Sequence, residues 1–569
     1  MMVIDIVGSV ILFFVVVVLA WPLGKYMNKV YKNEVSGTGL LTKIELKIFR
    51  LLKVNPSGNM NIRQYLVAFA LINGVWLVYG FCILLIQGQS FLNPAGNPSM
   101  EWTLALHSAI SFITSTNQQH YSGETGATYF SQIGVFTLLQ FVSAAASLSV
   151  GVAIIRCLKK NGQQLGNFFV DFIRSCTRIL FPLALVVGML FISRGMPMTF
   201  DGPARVISLQ GDTTLLATGP VAAMVPIKEL GSNGGGYFGT NNAHPFENPD
   251  FISYMVHYII VLLLPMAFVF FIGYFLENRK FSNMIFGVMT LGLLLVTIPI
   301  VWQETSGNPL VSQMGIDTRS GNMEGKEMRF GSYYTGFYTG ENAVVPAGTI
   351  TAMLDSYQPL SAIPMLIGMQ VDGFFGGLGT GLINIFYYLI VAVFLGCQMI
   401  GRTPILLGRK IGLVEMQLAT GVAVLQLMVP IVLTAIACFV MNATPGANNT
   451  LGWLGNSGPH GFTTIFYEYV SATAGNGSGF EALGDNTVYW NLTTSLAMLT
   501  GRFVPIVGVL VIAYLLSKRK YVESSAGVLK TETATFGLFL FMVIILLNAL
   551  STLPVFALGP LQEYFQMNH

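Results

Sequence analysis

Four short segments of small and polar residues interrupt the apolar sequence at similar intervals. They are Ser115-Thr116-Asn117-Gln118, Ser232-Asn233-Gly234-Gly235-Gly236, Ala347-Gly348-Thr349-Ile350 and Thr473-Ala474-Gly475-Asn476-Gly477. Each follows an apolar stretch too short to cross a bilayer and lies between two that are long enough. Inside hydrocarbon, backbone that is not helical must have its polar groups satisfied by protein or by a water-filled cavity. Four such segments in register are therefore expected to converge on one axis. There, glycine and small polar residues let the backbone turn its carbonyls toward a dehydrated cation.

The apolar background decides the class. With 53% hydrophobic and 10% charged residues among 569, the chain reads as a polytopic membrane protein. Apolar runs of about 18 residues or more give ten expected spans: Ile6–Leu23, Tyr65–Ile86, Ile133–Ile155, Cys176–Ser193, Phe251–Phe275, Met284–Val301, Gly376–Met399, Met416–Met441, Trp490–Leu516 and Phe536–Leu553. No Lys or Arg precedes the first run and no small-residue cleavage site follows it, so it is expected to be a retained span and not a signal peptide. Five cysteines without a CxxC pair suggest neither a disulfide framework nor a thiolate metal site.

Of the 29 basic residues, 22 fall in alternate connections on one side. By the positive-inside rule those connections are cytoplasmic, and both termini and all four polar segments are extracellular. The fold class expected is all-α, with ten transmembrane helices. Four tandem units of span, pore loop and span surround a pseudo-fourfold axis, with one extra helix at each end. The divisions are 1–62 (terminal helix and basic cytoplasmic loop), 63–156, 170–280, 281–400 and 410–518 (pore units) and 530–569 (C-terminal helix). The stretches Trp102–Thr114 and Thr463–Ser471 read as half-helices whose negative C-terminal ends favour a cation at the focus.

The candidate filter residues follow: Ser115, Thr116, Asn117, Ser232, Asn233, Gly234, Gly235, Ala347, Gly348, Thr349, Thr473, Ala474, Gly475 and Asn476. Gly234, Gly348 and Gly475 are taken as equivalent, with Asn117 in the matching place of the first unit. Arg502 lies about twelve residues into an apolar span, where a charge costs at least ~2.5–3.5 kcal/mol on insertion scales, so it must face a cavity or a partner. Glu229 and Glu468, near the loops, are expected to be either solvated or concentrating cations at the outer mouth. The six histidines show no ligand spacing, and the Asn- and Gly-rich 448–458 stretch reads as a solvated loop.

The segment Glu229-Leu230-Gly231-Ser232-Asn233-Gly234-Gly235-Gly236-Tyr237-Phe238, followed by Asn242-Ala243-His244-Pro245-Phe246-Glu247-Asn248-Pro249, resembles the second pore loop of the KdpA family. These are the potassium-binding subunits of the bacterial Kdp uptake ATPase. Thr114-Ser115-Thr116-Asn117, Met323-Glu324-Gly325-Lys326-Glu327, Phe375-Gly376-Gly377, Met399-Ile400-Gly401-Arg402-Thr403-Pro404 and Ser471-Ala472-Thr473-Ala474-Gly475-Asn476 extend the resemblance along the chain. It implies potassium as the transported ion, with no organic cofactor, and a bacterial plasma-membrane location. It also implies a P-type ATPase partner (KdpB), a single-span subunit (KdpC), a small hydrophobic peptide (KdpF), lipids around the spans and no nucleic acid. Gln119, Arg402 and Arg502 are then candidates for the ion path or for coupling. Two departures stand out: Ala347 where a Cys precedes the glycine in many relatives, and Gln118-Gln119-His120 where Trp-Gln-Ser is familiar. No GxxxxGK[ST] or Asp-Lys-Thr-Gly sequence occurs, so ATP chemistry is assigned to another chain. A self-sufficient potassium channel or cation-coupled symporter of the same superfamily is the alternative.

Overall fold

The computed structural model describes the chain except residues 1, 33, 35–38, 161–164, 444–452, 523–528 and 569. The first part of the expected 448–458 loop therefore lies outside the described residues. Among those described, nine helices are long and apolar enough to cross a membrane: Val3–Tyr31, Ile62–Gln89, Ser131–Leu158, Phe168–Ser193, Phe251–Phe275, Arg279–Gln313, Leu413–Met441, Val488–Lys518 and Ala534–Met567. The seventh expected span is different. Its helix begins at Thr380, after a separate helix over Pro359–Val371 and an intervening loop at 372–379. Asp372, Phe375 and Gly379 take left-handed backbone there (φ 38°, 59° and 83°), which no helix can continue through.

Four short helices lie between the spans, at Trp102–Ile113, Val221–Leu230, Gly331–Val344 and Gly458–Ala474. Each leads into one of the polar segments. The Glu101 carboxylate accepts hydrogen bonds from the amides of Thr103 and Leu104, capping the first of them. Thr473 and Ala474, read as loop from the sequence, are the last residues of the fourth.

The four span-and-loop groups pack around a central core. Ser131–Leu158 is the most enclosed span, buried along nearly all its length by Ala, Ser and Val. The first helix, by contrast, is largely exposed outward and packs on Phe251–Phe275. Gly24 permits that approach, since a Cβ there would stand 2.6 Å from the Ala267 carbonyl oxygen. On the basic side the short helix Leu40–Leu51 is tied down by Glu45, whose carboxylate accepts from the Arg178 Nε and Nη2 at 2.6 Å each. Asp171 there pairs with Arg156. The fourth span accordingly starts at Phe168, earlier than expected: Arg178 within it is paired with Glu45, and its Asp171 with Arg156 of the third span.

At the opposite face the C-terminal helix is tethered by one imidazole. His460 bonds Asp355 Oδ1 through Nε2 at 2.9 Å and Glu563 Oε1 through Nδ1 at 2.8 Å. Burial opposes its charge, but the two carboxylates outweigh that and raise it from the ordinary 6.5 to about 9. A raised pKa contributes stability that is fully present below 6.5 and lost as pH rises through 9. The melting temperature of the detergent-purified protein should therefore fall across pH 6.5 to 9, and His460→Gln should flatten that part of the curve. An unchanged slope in the variant would remove the tether from the account.

Candidate functional site

The four polar segments meet, and one repeated bond shapes them. The amides of Thr116, Asn233, Ala347 and Asn476 donate to the carbonyls of Ser111, Lys228, Asn342 and Ser471, each five residues earlier, at 3.0, 2.8, 3.3 and 2.9 Å. This aligns Asn117, Gly234, Gly348 and Gly477 as equivalents. Gly475 occupies the place of Ser115 and Ser232, not that of Gly234, which corrects the sequence assignment by two residues. The fourth short helix runs on through Ala474, and that displaces the match.

All four aligned residues take left-handed backbone: Asn117 at φ 51°, Gly234 at 79°, Gly348 at 61° and Gly477 at 91°. Three must also lack a side chain. A Cβ on Gly234 would lie 2.0 Å from the Ala347 oxygen, one on Gly348 1.9 Å from the Asn476 oxygen, and one on Gly477 2.0 Å from the Thr116 oxygen. Each loop thus presses its glycine against a backbone carbonyl of the next. Asn117 closes the circuit differently, donating from Nδ2 to the Gly234 carbonyl at 2.9 Å. Four helix C-termini surround this point, each carrying partial negative charge.

Side chains hold the loops from behind. Asn233 Nδ2 donates to Ser115 Oγ at 2.7 Å and Ser143 Oγ at 2.9 Å. Gln119, a predicted site residue, clasps Gly236 from both ends: Nε2 donates to its carbonyl at 3.1 Å, and Oε1 accepts from its amide at 2.7 Å. Thr349 donates its amide to Asn342 Oδ1 at 2.9 Å, and Asn476 Nδ2 donates to the Asn342 carbonyl at 3.0 Å. These amides do what identical subunits would do by symmetry.

Beneath the second loop lies a fully buried charge cluster that sequence reading missed. Lys228 donates to Asn241 Oδ1 and Asn242 Oδ1 at 2.7 Å each and pairs with Glu247. Glu229 accepts from Asn242 Nδ2 at 2.8 Å and contacts His257 Nδ1 at 2.9 Å. Neither Glu229 nor Glu468 is solvated at the outer mouth: both are buried, Glu468 against Gln118 and His120. Their signal in sequence was only proximity to the loops. What sets their role is the partners that the fold brings from elsewhere.

The inner side of the ring is bordered by the 372–379 loop. A Cβ on Gly377 would come within 3.5 Å of the Val345 carbonyl and 3.8 Å of the Ser232 carbonyl, at the ends of two short helices. Arg502 reaches the same region. It is 9% exposed and donates to Ser147 Oγ at 2.5 Å and Thr380 Oγ1 at 3.3 Å. Asp372, at the start of the break, is the carboxylate that interacts with it electrostatically, and Asn384 Nδ2 holds that carboxylate at 2.6 Å. Arg402 is not brought to this place. It lies exposed just beyond the Thr380–Met399 helix.

A model of the family described as KdpA, potassium-transporting ATPase A subunit, matches residues 10–565. The potassium-transporting ATPase potassium-binding subunit of Flavobacterium psychrophilum is 45% identical over 570 residues, with 99% of each chain covered. That of Geobacillus kaustophilus is 39% identical, covering 97% of this chain and 98% of its own. Among solved structures, the potassium transporter TrkH from Vibrio parahaemolyticus is similar in fold, with a TM-score of 0.52 at 13% identity over 88% of this chain and 97% of that one.

Breaking a buried ion cluster by removing one partner costs about 3–5 kcal/mol. Lys228→Met should therefore lower the thermal stability of the purified protein by about that much, and pairing it with Glu247→Gln should recover part of the loss. A melting curve identical to wild type for Lys228→Met would mean that the cluster does not brace the second loop.

Proposed function

This chain belongs to the KdpA family, the A subunits of potassium-transporting ATPases, and we propose that it selects extracellular potassium at the four-loop ring. From there it passes the ion to a P-type ATPase partner, KdpB, for ATP-driven uptake. The observation that carries this reading is the ring itself. Three glycines and one asparagine in left-handed backbone pack against neighbouring carbonyls, at the convergence of four helix C-termini. Close-packed carbonyl dipoles of this kind replace the hydration shell of a monovalent cation. Ser115, Thr116, Asn233, Gly235, Ala347, Thr349, Gly475 and Asn476 shape or support the ring, and Gln119 fixes its outer edge.

The units over 63–156, 170–280, 281–400 and 410–518 each contribute one loop, and the terminal segments flank them. With basic connections inside, the loops and both termini face outward across a bacterial plasma membrane. KdpC and KdpF complete the assembly. Arg402, exposed near the basic side, belongs to the coupling surface. Arg502, fixed below the ring by two hydroxyls, offers a positive charge that repels the ion and so favours its release. A self-sufficient channel or symporter would use the same architecture, and membership of an ATPase-subunit family favours the pump.

Gly234→Ser should lower potassium affinity and weaken discrimination against rubidium, because its Cβ would displace the Ala347 carbonyl. Competition uptake assays read both effects, and unchanged affinity at normal expression would take Gly234 out of the filter. Arg502→Ala should leave the complex assembled while uncoupling ATP hydrolysis from uptake. Arg502→Lys should keep part of the coupling, since it retains the charge but not the planar donor fork. Failure of Arg502→Ala to assemble would instead make the residue a structural partner.

A further inference from the structure

His120, Glu468 and Asp485 come from the first loop, the fourth short helix and the connection that follows it. The fold sets one ligand atom of each within 4.8 Å of the others. His120 Nε2 lies 3.4 Å from Glu468 Oε1 and 3.7 Å from Asp485 Oδ2. Two ligands at zinc–nitrogen and zinc–oxygen distances in a tetrahedral site stand about 3.4 Å apart, so the spacing already suits a small transition-metal ion.

The second shell fits as well. His120 Nδ1 is 2.7 Å from Asn491 Oδ1. The same amide donates through Nδ2 to Thr103 Oγ1 at 3.1 Å, so its oxygen faces the imidazole. Nδ1 then carries the proton, and in the neutral ring Nε2 presents its lone pair toward two carboxylates. That Nε2 is buried and without a hydrogen-bond partner. Holding a metal-ligating imidazole by the far nitrogen is how proteins fix tautomer and orientation. His107 stacks on the ring at 3.8 Å between centroids and covers one face. Gln118 Nε2 donates to Glu468 Oε1 and orients that carboxylate. Asp485 is 30% exposed in its side chain and provides the way in, whereas the other two ligands are enclosed.

We propose that this cluster is a divalent transition-metal site of the zinc class, opening to the outer face and binding the first loop to the fourth unit beside the ring. One imidazole and two carboxylates suit zinc, cobalt or nickel. Calcium takes six to eight oxygen ligands, more than this set supplies. A bound ion would add a coordination link between two segments that already meet through side-chain hydrogen bonds and the packing of Gly477 on the Thr116 carbonyl. The inference does not depend on which ion passes through the ring.

The test is calorimetric titration of zinc chloride into the full chain purified in detergent and stripped with a chelator. One zinc per chain is expected. His120→Ser should abolish that site, and Asp485→Asn should weaken it by at least about tenfold. Asn491→Ala, which disturbs only the holder of the imidazole, should weaken it by about 10–100-fold. Cobalt(II) should give a visible spectrum that His120→Ser removes. Absence of zinc binding to the wild type, or equal stoichiometry and affinity in His120→Ser and Asp485→Asn, overturns the proposal. Should His120→Ser fail to accumulate, Asp485→Asn at the exposed rim decides alone.

Discussion

The hydrogen bond from an amide back to the carbonyl five residues earlier is made once at the end of each short helix, at Thr116, Asn233, Ala347 and Asn476. It ends the helix, turns the chain into left-handed backbone at the next residue, and sends it outward again. Everything around the ring depends on that reversal occurring at one level in four places. The side-chain amides of Asn117, Asn233 and Asn476 then join neighbouring loops, and that of Asn342 holds its own loop, so that backbone which lipid could not solvate is satisfied within the protein.

The surrounding charges are paired with the same thoroughness. Lys228 and Glu247 are fully enclosed, as are Lys326 and Glu304, and a buried pair is costly to break even where it adds little net stability. These clusters sit behind the second and third loops. Behind the first and fourth loops the corresponding place is taken by His120, Glu468 and Asp485, a set with an open edge. The four quarters of the site are thus alike in backbone and different in their support.

Much of this was legible from sequence. Apolar run length located most spans, and Gly234 and Gly348 stood out as glycines following short half-helices; their left-handed backbone came only with the structure. Arg502 was conspicuous as a charge within an apolar run. The failures have physical causes. Gly475 looked equivalent to Gly234 because helix length inside a polar segment cannot be read from composition, and the fourth short helix extends further than its tail of small residues suggests. The helix Pro359–Val371 was missed because it is too short to be found as an apolar span and carries two prolines, Pro359 and Pro364. The apolar character of 376–399 hid a break that ends at Gly379. Asp372 lay unnoticed 130 positions from Arg502. Glu229, Glu468 and His120 could not be assigned because their partners lie in distant segments. Arg402 drew attention through its motif and is exposed.

Asn117 stands where the other three loops have glycine, and its side chain completes the circuit that they complete with backbone alone. In an assembly of four identical subunits a single codon rewrites every quarter at once, so such a substitution must suit all positions or be lost. Here each quarter has its own codons and its own mutational history. The ring can therefore diverge one side at a time, with three intact sides holding the shape while the fourth explores.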